Sequence, residues 1–168
     1  MVSAHEQQRQ SASPDEAAIW RVLDGVPDPE IPVVSVVELG MVRDISIAES
    51  GHTEVVMSPT YTGCPATDVI RRDVISALEK AGLSDFEVRY QLTPRWSTDW
   101  ITDQAREKLR RYGIAPPKDD REARYEGVAC PRCGAPETEV ISEFGSTPCK
   151  ASMRCRDCLE PFEHFKCI

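Results

Sequence analysis

The chain has no long basic run, and it carries a net charge of −8 over 168 residues. Nucleic-acid binding draws its affinity from clustered Lys and Arg that displace counterions from phosphate, so this composition argues against a nucleic-acid partner. No apolar stretch approaches the roughly 20 residues of a membrane span. Met1 to Gln10 is polar and lacks the apolar centre of a secretion signal. Histidine is scarce, with three copies, which leaves a Cys–His catalytic pair weakly supported. Gly-rich phosphate loops, a serine nucleophile elbow, a dinucleotide fingerprint and internal repeats are all missing. The expectation from these absences is a cytosolic protein that touches neither nucleic acid nor membrane.

Cysteine, by contrast, is concentrated. Six of the seven cysteines fall in the last quarter of the chain. In a reducing compartment such clusters are metal ligands or reactive groups before they are disulfides, and an odd count fits no closed disulfide framework. Cys130-Pro131-Arg132-Cys133-Gly134 and Cys155-Arg156-Asp157-Cys158 form two C-x2-C knuckles. A two-residue spacing lets a tight turn bring both sulfurs to one ion, and two knuckles bracketing a hairpin read as a four-thiolate site. Zinc is the expected occupant, with an iron–sulfur cluster as the alternative. Four thiolates leave zinc no open position, so the role expected of the metal is architectural.

Cys149 and Cys167 stand outside this quartet, beside Lys150 and Lys166. A neighbouring cation favours the thiolate, which makes both alternate ligands or metal-transfer groups, against the plainer reading of buried thiols. His164 is weighed as a further ligand against an exposed strand histidine. Cys64 is the one cysteine of the body. With Pro65 read as the first helical residue, Cys64 becomes the N-cap, where the helix dipole would favour its thiolate. It is therefore a soft ligand or nucleophile, or else a cap without chemistry. Asp28 and Glu30 lie in a proline-locked and exposed loop, and Glu38 interrupts the apolar Val36, Val37 and Leu39, so its carboxylate needs a partner.

The expected element order is α-β-β-α-β-α, an α+β class with helices packed on a small mixed sheet, followed by a β-rich zinc-ribbon-like module. Residues 1–12 read as a frayed tail, 13–115 as the α+β domain, 116–127 as a charged linker and 128–168 as the metal ribbon. Ser13-Pro14-Asp15-Glu16 opens the first helix as a capping box. Strands are expected over 41–48, 53–58 and 86–92, joined at the first hairpin by Glu49-Ser50-Gly51-His52. Val69 to Ala81 recurs at helical spacing, and a third helix is expected over 98–112 with Trp100, Ile101, Ala105, Leu109 and Tyr112 on one side. In the ribbon, strands are expected over 138–144, 150–154 and 161–166.

Asp28-Pro29-Glu30-Ile31-Pro32, Glu38-Leu39-Gly40-Met41-Val42 and Thr60-x-x-x-Cys64-Pro65 together resemble the small iron–sulfur-assembly domain of cluster-targeting factors, over roughly residues 16–92. Leu92-Thr93-Pro94-Arg95-Trp96-Ser97-Thr98-Asp99-Trp100-Ile101, Tyr112 to Pro117, Phe144 to Lys150 and Phe165-Lys166-Cys167 resemble the D-protein family of bacterial phenylacetate degradation. The resemblance implies a maturation or accessory factor for the multicomponent phenylacetyl-CoA epoxidase, a di-iron oxygenase fed by a flavin and iron–sulfur reductase. The oxygenase subunits and that reductase are then the implied partners. It also implies that Cys64 is the reactive cysteine, with Asp28, Glu38 and Thr60 at matching positions. Two alternatives are a purely structural component docked on the oxygenase and a thiol enzyme using Cys64.

Overall fold

The structure is a computed structural model and describes residues 14–61, 65–118 and 125–166. Ser13, Thr62 to Cys64 and Cys167, with the expectations placed on them, lie outside those residues. The chain divides into two compact units. The first takes residues up to Trp96 together with Trp100–Thr102; the second takes Ser97–Asp99 and everything from Asp103.

In the first unit, helix α1 (Pro14–Asp24) is followed by strands β1 (Val42–Ile47) and β2 (Thr53–Met57), helix α2 (Thr67–Lys80) and strand β3 (Phe86–Tyr90). The sheet order is β1-β2-β3. β1 and β2 are antiparallel, while β2 and β3 are parallel. A parallel pair needs a long crossover, and α2 supplies it. The mixed sheet and the hairpin at Gly51 (φ +89°) match the sequence pattern. So does the core, where Ile19, Trp20 and Leu23 of α1 and Ile70, Val74 and Leu78 of α2 are all buried with Val55, Val56 and Met57 of β2. The imperfect alternation of β1 has a cause: register shifts between Val42 and Asp44, a bulge centred on Arg43. The Arg43 guanidinium stacks 3.4 Å over the Trp100 ring.

Several expectations need correction here. α2 begins at Thr67 with Ala66 as its N-cap and no side-chain cap bond, so position 64 is not the cap and Pro65 precedes the helix. The third strand stops at Tyr90, leaving Leu92 60% exposed, with Pro94 close behind to end the ladder. The helix expected over 98–112 is also interrupted. Thr98–Trp100 is a short 3-10 turn, and α3 runs Asp103–Tyr112. The Thr102 N–H donates to the Glu38 carbonyl at 3.0 Å instead of continuing a helical ladder. Trp100–Thr102 belong to the first unit and α3 to the second, so one straight helix cannot serve both cores. Tyr112, expected on the packed side, is 52% exposed.

In the second unit α3 buries Ala105 and Leu109. The Arg106 guanidinium donates to the carbonyls of Thr98 and Pro117, tying the turn and the exit from α3 together. Strands β4 (Ile114–Ala115), β5 (Thr138–Ser142), β6 (Lys150–Cys155) and β7 (Pro161–Phe165) form a sheet of order β4-β7-β6-β5. β4 pairs parallel to β7. Ile114 and Ala115, expected inside the first domain, thus contribute a strand to the ribbon's sheet.

Candidate metal centre and the cysteine loop

Both knuckles close with backbone hydrogen bonds. In the first, the Gly134 N–H donates to the Cys130 carbonyl at 2.9 Å and the Cys130 N–H to the Ala135 carbonyl at 2.9 Å. Gly134 has φ +80°, a left-handed turn that glycine adopts without strain. In the second, the Cys155 N–H donates to the Glu160 carbonyl at 3.1 Å, and the Cys158 N–H points at the Cys155 sulfur at 3.5 Å. Leu159 occupies the left-handed position here, with φ +64°. For a bulky L-residue that conformation costs about 1–2 kcal/mol.

The strands then bring the knuckles together. Thr138 pairs with Cys155 across β5 and β6, and the Arg156 N–H donates to the Glu137 carbonyl at 2.8 Å. Cys130 and Cys155 pack into a small core with Ala115, Val128, Met153 and Phe162. The Cys130 and Cys158 sulfurs lie 3.8 Å apart, those of Cys133 and Cys155 3.6 Å apart, and all four lie within 4.8 Å of one another. Metal–sulfur bonds of about 2.3 Å imply tetrahedral edges of about 3.8 Å. The donor set and its spacing therefore fit one tetrahedral ion. The Cys155 thiol is brought down to about 7, first by the Cys158 N–H, whereas at Cys158 the Glu160 hydrogen bond is outweighed by burial and the neighbouring sulfurs, which push that thiol up to about 12.

The groups outside the quartet are differently placed. Cys149 is buried, with its sulfur 3.0 Å from the Thr147 hydroxyl, and is not among the grouped ligands. The two lysines expected to activate the extra thiols have other engagements. Lys150, 3% exposed, donates to Glu163 at 2.7 Å. Lys166 donates to the Glu143 carbonyl and lies 4.7 Å over the Phe144 ring. His164 is fully buried, its Nδ1 3.2 Å from the Ala115 carbonyl and its ring edge-on to Tyr125. It is neither an exposed strand histidine nor a member of the ligand group.

The Lys150–Glu163 pair was not foreseen and carries a pH signature. Burial pushes the Glu163 carboxyl up, but hydrogen bonds from Lys150 and the Ser146 N–H outweigh it, so the net displacement is downward. A depressed carboxyl contributes stability above its unfolded value of about 4.3 and loses it as pH falls through the folded value. Lys150→Met strands the carboxylate and is expected to cost about 2–4 kcal/mol at neutral pH, less than a fully buried pair because of the carboxylate's residual exposure. Urea midpoints of variant and parent should converge as pH falls through that limb.

In the first unit, Asp28 is 8% exposed rather than exposed as expected. Its Oδ1 accepts from the N–H groups of Glu30 at 2.9 Å and Ile31 at 2.8 Å, the local turn that an aspartate before proline favours. Glu30 is half-buried. Glu38, also buried, finds its needed partner in Ser35. The Ser35 N–H donates to Glu38 Oε2 at 3.0 Å, and the Glu38 N–H donates to Ser35 Oγ at 3.0 Å. That is a reciprocal capping box, and its S-x-x-E spacing was available in the sequence. The Asp28 N–H donates to the Val34 carbonyl at 2.9 Å, and Pro27 bridges to Ser35, so both acids brace one tight loop. Thr60, half-buried, stands just beyond β2 on the segment leading toward position 64. The Trp96 indole N–H donates to the Leu39 carbonyl at 2.9 Å, a lock that periodicity could not reveal.

Comparison with known proteins places these two sites in a common setting. The profile described as iron–sulfur cluster assembly protein matches residues 16–89, and the profile described as PaaD zinc beta ribbon domain matches residues 114–166. An Escherichia coli protein named as the D component of 1,2-phenylacetyl-CoA epoxidase is 46% identical over 159 residues, 94% of this chain and 96% of its own. A protein named Fe-S protein maturation auxiliary factor, from Porphyromonas gingivalis, is 34% identical over 54% of this chain and 86% of its own. A crystal structure of a domain of unknown function from Bacillus anthracis aligns with a TM-score of 0.53 at 30% identity, covering 56% of this chain and 90% of that one. An assembly-type α+β fold and a four-cysteine ribbon on one chain, matched along nearly its whole length, show that it belongs to the D-protein family of the phenylacetyl-CoA epoxidases.

Proposed function

We propose that the chain is a cytosolic, non-enzymatic accessory factor that delivers iron or iron–sulfur clusters to the epoxidase system of which its Escherichia coli relative is named a component. The observation that supports this best is the pairing of an iron–sulfur-assembly domain with a saturated metal ribbon on one chain. In this reading the ribbon holds one zinc ion on Cys130, Cys133, Cys155 and Cys158. The four thiolates of a multi-iron cluster are divided among two or more irons, and those on different irons stand farther apart than the edges of a one-ion tetrahedron, so four sulfurs within 4.8 Å of one another favour zinc over a cluster. The metal contributes folding energy and presents the ribbon for docking. Visible absorption and metal analysis on protein purified without oxygen decide between the two occupants.

Cargo passes through Cys64, since a soft ion moves between thiolates without being released. Asp28 and Glu38 shape the 28–38 loop through their backbone hydrogen bonds, and Thr60 lies four residues before the cysteine in the chain. Cys149 and Cys167 serve as secondary ligands on the receiving side. The domain boundary proposed with this reading moves α3 and β4 to the ribbon. The direct recipients are the oxygenase subunits or their iron–sulfur reductase.

Cys64→Ser is expected to abolish cluster or iron transfer while leaving the fold and ribbon metal intact. Reconstitution of apo-reductase and apo-oxygenase in the presence of each form measures it. Equal metal content and activity with the serine variant would remove Cys64 from the mechanism. The saturated four-thiolate site favours, as a second reading, a component that only docks, and that same result would support it. A thiol enzyme has less support. Among the described residues, His52 stands at the opposite end of β2 from the loop leading to Cys64, paired with Asp85 at 2.7 Å, and His164 is enclosed in the ribbon.

A further inference from the structure

The second knuckle carries a side chain that neither the metal nor the core requires. Leu159 holds a left-handed backbone (φ +64°) and is 67% exposed. The first knuckle makes the corresponding turn with Gly134 at φ +80°, where an added Cβ would meet nothing within 4 Å. Glycine at 159 would relieve the strain and remove exposed apolar surface together. The leucine is absent from the small core beneath the metal site.

Its surroundings give the kind of surface it would meet. Asp157 and Glu160 flank it, both are exposed, and neither makes an ion pair among the described residues. The nearby cation Arg156 is committed to Glu139, 3.1 Å away, which also binds Arg154. A four-thiolate zinc site adds further negative charge to the same tip. The result is a single apolar knob with an acidic collar, on a support that the metal makes rigid.

We infer that Leu159 is the anchor by which the ribbon docks, inserting into an apolar pocket rimmed by Lys or Arg on another protein of the epoxidase system. The inference rests on the accessory function proposed above and specifies its contact surface. A buried apolar anchor surrounded by charge that steers encounter is a common design for a specific interface.

The test uses the metal-loaded full chain and the purified remaining subunits of the epoxidase. Leu159→Gly and Leu159→Asn both suit a left-handed backbone and remove the knob. Both are expected to keep the metal and melt no lower than the parent, yet bind the subunits at least about tenfold more weakly. Leu159→Met restores an apolar tip and retains affinity. Asp157→Asn with Glu160→Gln slows association and flattens its salt dependence. If the parent binds and Leu159→Gly binds equally well, the docking assignment falls while the accessory reading stands. If the parent binds none of the subunits, both fall. A Leu159→Gly variant that loses metal or melts far below the parent shows that the leucine serves the fold, and this also overturns the assignment.

Discussion

Stripping the ribbon metal with excess chelator is expected to unfold the second unit and leave the first folded. Beneath the knuckles lies a cluster of six buried residues, two of them the ligands Cys130 and Cys155, and the rest of the unit adds only a few buried apolar side chains, such as Leu109, Ile114 and Phe165. So little apolar burial cannot offset the conformational entropy of the nearly seventy residues from Ser97–Asp99 and Asp103 onward, at about 1–2 kcal/mol of backbone entropy each. Structural zinc contributes on the order of 10 kcal/mol in small modules of this type. The first unit has its own core, from Leu23, Val36, Val37, Val55, Met57, Val74 and Leu78, none of which belongs to the four-cysteine group. Hydrogen exchange read by mass spectrometry should show peptides from 128–166 losing protection on chelation, with peptides from 42–90 unchanged. Cys155→Ser should act in the same direction. Ribbon peptides that stay protected without metal would show that the hydrophobic core suffices, and the architectural role of the ion would fail.

Gly40→Ala should be the most damaging small substitution in the first unit. Gly40 has φ +68°, and an added Cβ would stand 2.6 Å from both the Cβ and the carbonyl oxygen of Trp100. The backbone penalty is about 1–2 kcal/mol, and forcing a methyl into packed backbone adds about 1–3 kcal/mol. The segment cannot simply retreat. The Trp96 indole is fixed to Leu39, the Thr102 N–H to Glu38, and the Trp100 ring lies under Arg43. A loss of roughly 2–5 kcal/mol in the urea transition of the first unit is expected. Gly51→Ala is the control. It has φ +89° with open space around it, so it carries the backbone penalty alone.

Much of this fold was legible because its signals are local. The two-residue knuckle spacing, the helical period from Ile70 to Leu78 and the Gly51 turn each need only a few neighbouring residues to be read. The metal quartet was legible for the same reason. What the sequence hid depends on long-range partners. Nothing near Thr98 announces that Trp100–Thr102 join one core while α3 joins the other, so a single helix was the natural reading. Likewise, Lys150 looked like an activator of Cys149 because sequence shows adjacency, whereas Glu163 claims the lysine from across a strand pair. Asp28 looked exposed because its prolines suggest a surface loop, yet its carboxylate turns inward to satisfy two backbone donors. The strain at Leu159 was hidden too. Only the comparison of the two knuckles in space shows that one uses glycine where the other keeps a leucine.

The alternation of chain membership between positions 96 and 103 bears on how this protein can be taken apart. Residues up to Trp96 belong to one unit, Ser97–Asp99 to the other, Trp100–Thr102 to the first again, and Asp103 onward to the second. No single cut divides such a sequence cleanly. A break before Ser97 deprives the first unit of Ile101, and a break after Thr102 deprives the second of Thr98, whose carbonyl holds Arg106. The two parts read like separable modules, but their residues interleave along the chain, and every single cut leaves at least one fragment without residues of its own unit.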